Sequence, residues 1–246
     1  MRFVGLGNYL ELVQDPDFWN AFKNNIIVII SCIIGQLGFA LLLCGLFTSK
    51  LLKLKEFHRT VMFIPVVLSA IVVGFVWTLI YNKDIGILNI LLKALHLQAL
   101  IQPWLDDPKI VMFSVSVPLI WQYIGEYLII FMAAVQGIEK SILEVAEIDG
   151  CTGLNRLRYI IAPLISDTIK VAVMLCIAGN MKVFDHIYVM TGGGPGNSSM
   201  VMAQYAYKIS FQQFKLGYGS TISVGILVLS LTIIFVSRKL GERKQP

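Results

Sequence analysis

The sequence predicts an all-α integral membrane protein, and three observations carry that prediction. Hydrophobic residues make up 57% of the 246 and charged residues 14%, with a mean hydropathy of +0.75. A soluble domain usually has about a quarter of its residues charged. Charge-free runs at 24–49, 60–82 and 216–237 are each longer than the roughly 20 residues a helix needs to cross about 30 Å of hydrocarbon. The alternating pattern of barrel strands is absent, and lipid leaves no water to satisfy open backbone groups, so the spans are helices.

Taken in order, residues 3–23 mix Phe3, Tyr9, Phe18 and Trp19 with polar side chains. This suits an amphipathic element at a membrane surface, with Trp19 as its anchor. The first residues, "MRFVGLGNYL", lack the apolar core and cleavage site of a signal peptide. The first span is 24–49 and the second 60–82. A third, 110–138, is interrupted only by Glu126, and a fourth, 168–190, contains Lys170, Lys182 and Asp185. The fifth is 216–237.

Between the second and third spans, 82–109 includes "IGILNILLKALHLQAL", whose apolar residues recur at helical spacing. A short surface helix is expected there, with His96 solvated; His58 and His186 are read the same way. Residues 191–215 begin "TGGGPGNSS", which forbids a regular helix and predicts an irregular turn. Pro195 stands where a phosphate loop would need Lys-Ser/Thr, so nucleotide binding is not expected.

Basic residues orient the chain. Lys50, Lys53, Lys55 and Arg59 crowd the first connection, Lys140, Arg156, Arg158 and Lys170 the third, and Arg238, Lys239, Arg243 and Lys244 the tail. The positive-inside rule puts those segments in the cytoplasm, with 82–109 and 191–215 as outer loops. The net charge of +5 is explained by anionic lipid headgroups and requires no nucleic acid. Cys32, Cys44 and Cys176 fall in spans as small packing residues; with Cys151 they form no zinc or disulfide spacing. No hydrolase triad or HExxH is present, so no enzyme site is expected.

The segment 139–163 is charged although spans flank it. "EKSILEVAE" has helical periodicity, Gly150 ends that helix, "LNRLRYII" starts another, and Pro163 marks entry to the next span. Such a helix–turn–helix suits a socket in a partner protein. Within the third span, Leu119, Tyr123 and Glu126 share a face, with Gln122 beside it; Cys176 and Asn180 make a comparable stripe on the fourth. Glu126 and Asn180 each lie roughly 16–24 Å along their helices, near the midplane. Intramembrane ionisable and amide groups are either functional or interhelical glue. Lys182 and Asp185, at i and i+3, are expected to pair or to line a gate.

Glu144-Val145-Ala146-x-x-Asp149-Gly150, followed by Ile160-x-x-Pro163, resembles the EAA motif of ABC-importer permeases, departing from it at Val145, Cys151 and Ala162. "FVGLGNY", "FWNAFKN" and "FDHIYVMTGGGPGNSS" are similar to the maltose-type, multiple-sugar permeases, and the similarity runs over essentially the whole chain. The resemblance implies a type I importer permease fold as a single domain, 1–246, in a bacterial plasma membrane with a cytoplasmic C-terminus. Family members normally carry another apolar helix before "FVGLGNY"; the chain begins after it, which leaves five spans and an outer N-terminus.

The resemblance further implies that Glu144, Ala146, Asp149, Gly150 and Pro163 belong to a coupling helix docked on a cytoplasmic ATPase dimer. That partner would bind ATP and Mg, with no cofactor in this chain. A second permease subunit, an extracytoplasmic solute-binding protein and a sugar complete the set of partners. The family's sugar-contacting positions fall on Leu119, Tyr123, Glu126, Cys176 and Asn180, with Gln122 adjacent. The rival functions are a secondary transporter, which would need coupling-ion ligands and broken helices in repeated halves, and a structural membrane subunit that passes no cargo.

Overall fold

A computed structural model of the chain describes residues 4–48 and 54–242. Phe3, Lys50, Lys53, Arg243 and Lys244 lie outside the described residues. All regular structure among the described residues is helical. They fall into two compact units, one made of residues 4–30, 69–118 and 177–236, the other of 31–48, 54–68, 119–176 and 237–242.

Helix α1 is Gly7–Gln14, and α2 runs Pro16–Thr48 as one span, well before the expected start at Asn24. The cause is local. Asp15 Oδ1 accepts the N–H groups of Asp17 at 2.9 Å and Phe18 at 3.3 Å, and Pro16 supplies a first helical residue with no N–H to satisfy. At 33 residues, α2 is about 50 Å long and overreaches the hydrocarbon. A π turn at Ile33–Leu37 interrupts it.

The second expected span is two helices, α3 (Lys55–Val67) and α4 (Ala70–Ile80). Leu68 and Ser69 between them are extended. Pro65, inside α3, removes one backbone donor near the break. The freed Leu68 carbonyl is met by Gln122 Nε2 at 2.9 Å, as a break among apolar residues requires.

Helix α5 (Ile87–Ala94) is the surface helix expected within 82–109, and His96 is exposed. Helix α6 is Val111–Gln136. Helix α7 (Lys140–Ile148) precedes α8 (Gly153–Leu164), which turns by 82° into α9 (Ser166–Met181).

The fourth span thus ends at Met181, not Met190, and the chain restarts as α10 (Asp185–Thr191). Asn25 makes the break tolerable. Its Nδ2 donates to the carbonyls of Asn180 at 2.9 Å and Met181 at 3.3 Å, and its Oδ1 accepts the Met202 N–H at 2.9 Å. Because α9 ends before Lys182 and α10 begins at Asp185, the two do not share a helix face, and the expected pair is not formed among the described residues. His186 is buried, not solvated, because α10 packs on α4. There Gly74 leaves only van der Waals room for Val189 and the His186 carbonyl.

Residues 191–215 are not all irregular. After the glycine turn comes α11 (Met202–Tyr207), prolonged by a π turn at Lys208–Gln212, with Met202, Gln204, Tyr205 and Ala206 buried. Asn20 and Asn24 of α2 donate to the Asn197 carbonyl at 3.1 and 3.5 Å, and Asn24 also to that of Met200 at 2.8 Å. The asparagines of "FWNAFKN" therefore hold the glycine-rich turn. Helix α12 is Leu216–Glu242. Among the described residues three helices are long and apolar enough to cross a membrane, and five spans result if each broken pair counts as one.

Candidate functional site

In the second unit, Gln36 lies on the π turn of α2 and is buried. Its Nε2 donates to the Leu119 carbonyl at 2.9 Å, and Cys176 Sγ approaches its Oε1 at 3.6 Å. One amide thereby ties together α2, α6 and α9. Leu119, Gln122 and Cys176 are all buried in this packing, and Gln122 is engaged with Leu68. Tyr123, by contrast, is half-buried, and Glu126 is exposed. Of the predicted cargo residues in this unit, these two reach the chain's own surface. Between them and α3, Gly125 allows a close crossing: a Cβ there would strike the Met62 carbonyl and the Cα of Phe63, so the small residue sets the helix separation. Asn180 belongs to the first unit, where it is buried and its carbonyl is held by Asn25.

Sequence reasoning missed Gln36. The signal was available: a lone amide in an otherwise apolar run has to find a partner inside the membrane.

The segment 139–163 is built from α7 and α8. Gly150 has φ +74°, its N–H meets the Glu147 carbonyl at 3.1 Å, and the Cys151 N–H reaches back to Ala146 at 2.8 Å. These are the paired bonds of a Schellman cap, which needs a left-handed residue at that position. Ala146 is buried, while Glu144, Glu147 and Asp149 are exposed. So are Ile142, Val145 and, at 84%, Ile148. Helix α8 is fixed from the other side: Leu157 sits where a Cβ on Gly45 of α2 would lie 3.1 Å away, and Ile161 is fully buried. Pro163 is exposed near the end of α8. A rigidly capped peg that exposes both acids and large apolar side chains has the chemistry of a docking element.

Residues 41–241 match the family described as binding-protein-dependent transport system inner membrane component. The chain belongs to this family. It is 35% identical to the probable ABC transporter permease protein YurN of Bacillus subtilis (strain 168), over 96% of this chain and 82% of that protein. It is 28% identical to the lactose transport system permease protein LacF of Rhizobium radiobacter, over 96% of this chain and 80% of the relative. The fold matches that of a bacterial alginate ABC transporter solved with an alginate pentasaccharide-bound periplasmic protein. The TM-score is 0.85 at 20% identity, over 98% of this chain and 83% of the other.

The chain is therefore a multi-pass membrane component of an ABC importer, with the all-α permease fold. Permeases of this family are non-catalytic membrane subunits, which agrees with the expectation of no enzyme site. Family membership also sets aside the secondary-transporter rival. The binding-protein-dependent description implies transport partners outside this chain.

Proposed function

We propose that this permease is one of two non-identical membrane subunits of an ATP-driven oligosaccharide importer. A cytoplasmic ATPase dimer hydrolyses ATP, and an extracytoplasmic binding protein delivers the sugar. The observation that carries the reading is the capped α7 peg, with exposed Glu144, Asp149, Val145 and Ile148 ending on the left-handed Gly150. A fixed lever with both polar anchors and an apolar tip can pass the ATPase's closing to the spans, because its contacts differ between two states. In this reading α7, Pro163 and the C-terminus face the cytoplasm, and 82–109 and 191–215 lie outside.

The cargo class is supported by the sugar-transporting relatives and by the side chains left at the chain's surface. Tyr123 can stack on the C–H face of a sugar ring while Glu126 accepts from its hydroxyls. Leu119, Gln122 and Cys176 shape this region from behind rather than touching cargo.

Reconstitution with the ATPase and binding protein in liposomes tests the reading. Uptake of lactose, raffinose or arabinotriose should require ATP, and it should fall in Glu126→Ala and Tyr123→Ala variants that still assemble. Uptake that survives without ATP would overturn the coupling. Normal uptake in both variants would reduce these residues to packing.

A further inference from the structure

The first unit carries an aromatic cluster that the importer reading leaves without a role. Phe184 and Tyr188 stack with ring centroids 5.0 Å apart and planes 16° apart. Tyr207 meets both edge-on, at 5.5 and 5.6 Å, and Phe211 extends the row 5.4 Å beyond it. The rings come in two pairs at i and i+4, one from α10 and the residue before it, the other from α11 and its π turn.

Aromatic clusters usually serve a core, but this one is open. Phe211 is 62% exposed and Tyr188 41%. Its neighbours in sequence are polar: Lys182 and Asp185 lie on either side of Phe184 and are exposed, and exposed Gln212 follows Phe211. Exposed Lys182 and Asp185 disfavour the hydrocarbon core here, and labelling by a water-borne reagent distinguishes a water-facing surface from the membrane interface, where aromatic and basic side chains also gather. Flat apolar faces that carry two phenol groups, with ammonium, carboxylate and amide side chains exposed nearby in sequence, fit a ligand with C–H faces and many hydroxyls, which is the chemistry of a saccharide.

We propose that Phe184, Tyr188, Tyr207 and Phe211 form a saccharide-stacking platform, a binding subsite for the importer's cargo. The inference rests on the importer reading for the class of its ligand.

The test uses the assembled complex in liposomes carrying Phe211→Cys, treated with a charged, membrane-impermeant methanethiosulfonate reagent, with lactose, raffinose or arabinotriose present or absent. Labelling should exceed the wild-type background. At least one sugar should slow it about threefold, the protection expected when the ligand reaches about twice its Kd. That protection should disappear when Tyr188→Ala is added. Tyr188→Cys, tested alone, should show the same protection. Failure to label either cysteine places the rings against lipid or the second subunit and overturns the platform, as does labelling indifferent to all three sugars. If the wild-type complex imports sugar while protection is absent, only the platform falls. If it imports no sugar at all, the importer reading falls with it.

Discussion

Replacing Gly150 by Ala isolates the backbone contribution to the α7 peg. A Cβ at that position would meet nothing within 4 Å, so sterics and lost packing play no part. What remains is the left-handed φ of +74°, which costs an L-residue about 1–2 kcal/mol. The bonds that depend on this conformation are Gly150 N–H to Glu147 and Cys151 N–H to Ala146. Loss of that free energy raises the population of the frayed cap by roughly 5- to 30-fold. Hydrogen exchange at the Cys151 amide should accelerate by that factor, while the unfolding midpoint of the whole protein hardly moves. If α7 is the lever, sugar uptake per ATP should fall in parallel. Gly150→Asn is the internal control, because Asn tolerates the left-handed region better, so its effect should be the smaller of the two. Unchanged Cys151 protection in Gly150→Ala, or an Asn variant as damaged as the Ala one, would refute the argument.

Two further perturbations follow from the packing. Asp15 Oδ2 accepts from Tyr205 at 2.6 Å and Tyr218 at 2.5 Å. Burial works to raise its carboxyl, but these bonds and those from Phe18 and Asp17 outweigh burial and hold it below its ordinary value of 3.8. A depressed carboxylate contributes stability that is intact above 3.8 and lost as pH falls through the lower folded value. Thermal unfolding should therefore show Asp15→Asn destabilised at pH 7, with the gap to wild type closing below about pH 4. Gly125→Ala, which drives a Cβ into the Met62 carbonyl and the Cα of Phe63, should cost about 1–3 kcal/mol as overpacking does. A lowered midpoint, at about 2–4 °C per kcal/mol, checks it; an unshifted one would show that α3 can move away freely.

The elements that were legible in the sequence are those whose solvent was unambiguous. The runs at 24–49, 110–138 and 216–237 became α2, α6 and α12, because a charge-free run of that length admits one backbone solution in lipid. Gly150 was legible too, since a helical period ending at a glycine specifies a cap. What hydropathy could not reveal were the breaks. Leu68–Ser69 and Lys182–Phe184 interrupt segments whose composition reads as continuous, and each is tolerated only because an amide from a distant residue meets the freed carbonyls: Gln122 for Leu68, Asn25 for Asn180 and Met181. The break at Met181 also explains why Lys182 and Asp185 fail to pair and why His186 is buried. The same logic reassigns the candidate site. Read along one helix, Leu119, Gln122 and Tyr123 share a surface, but Gln36 and the α3–α4 break draw the Leu119 carbonyl and the Gln122 side chain into the packing. Tyr123 and Glu126 are left facing outward. An amide within an apolar run is thus a clue to a backbone break elsewhere in the chain, and pairing amides with breaks recovers tertiary contacts that periodicity alone does not contain.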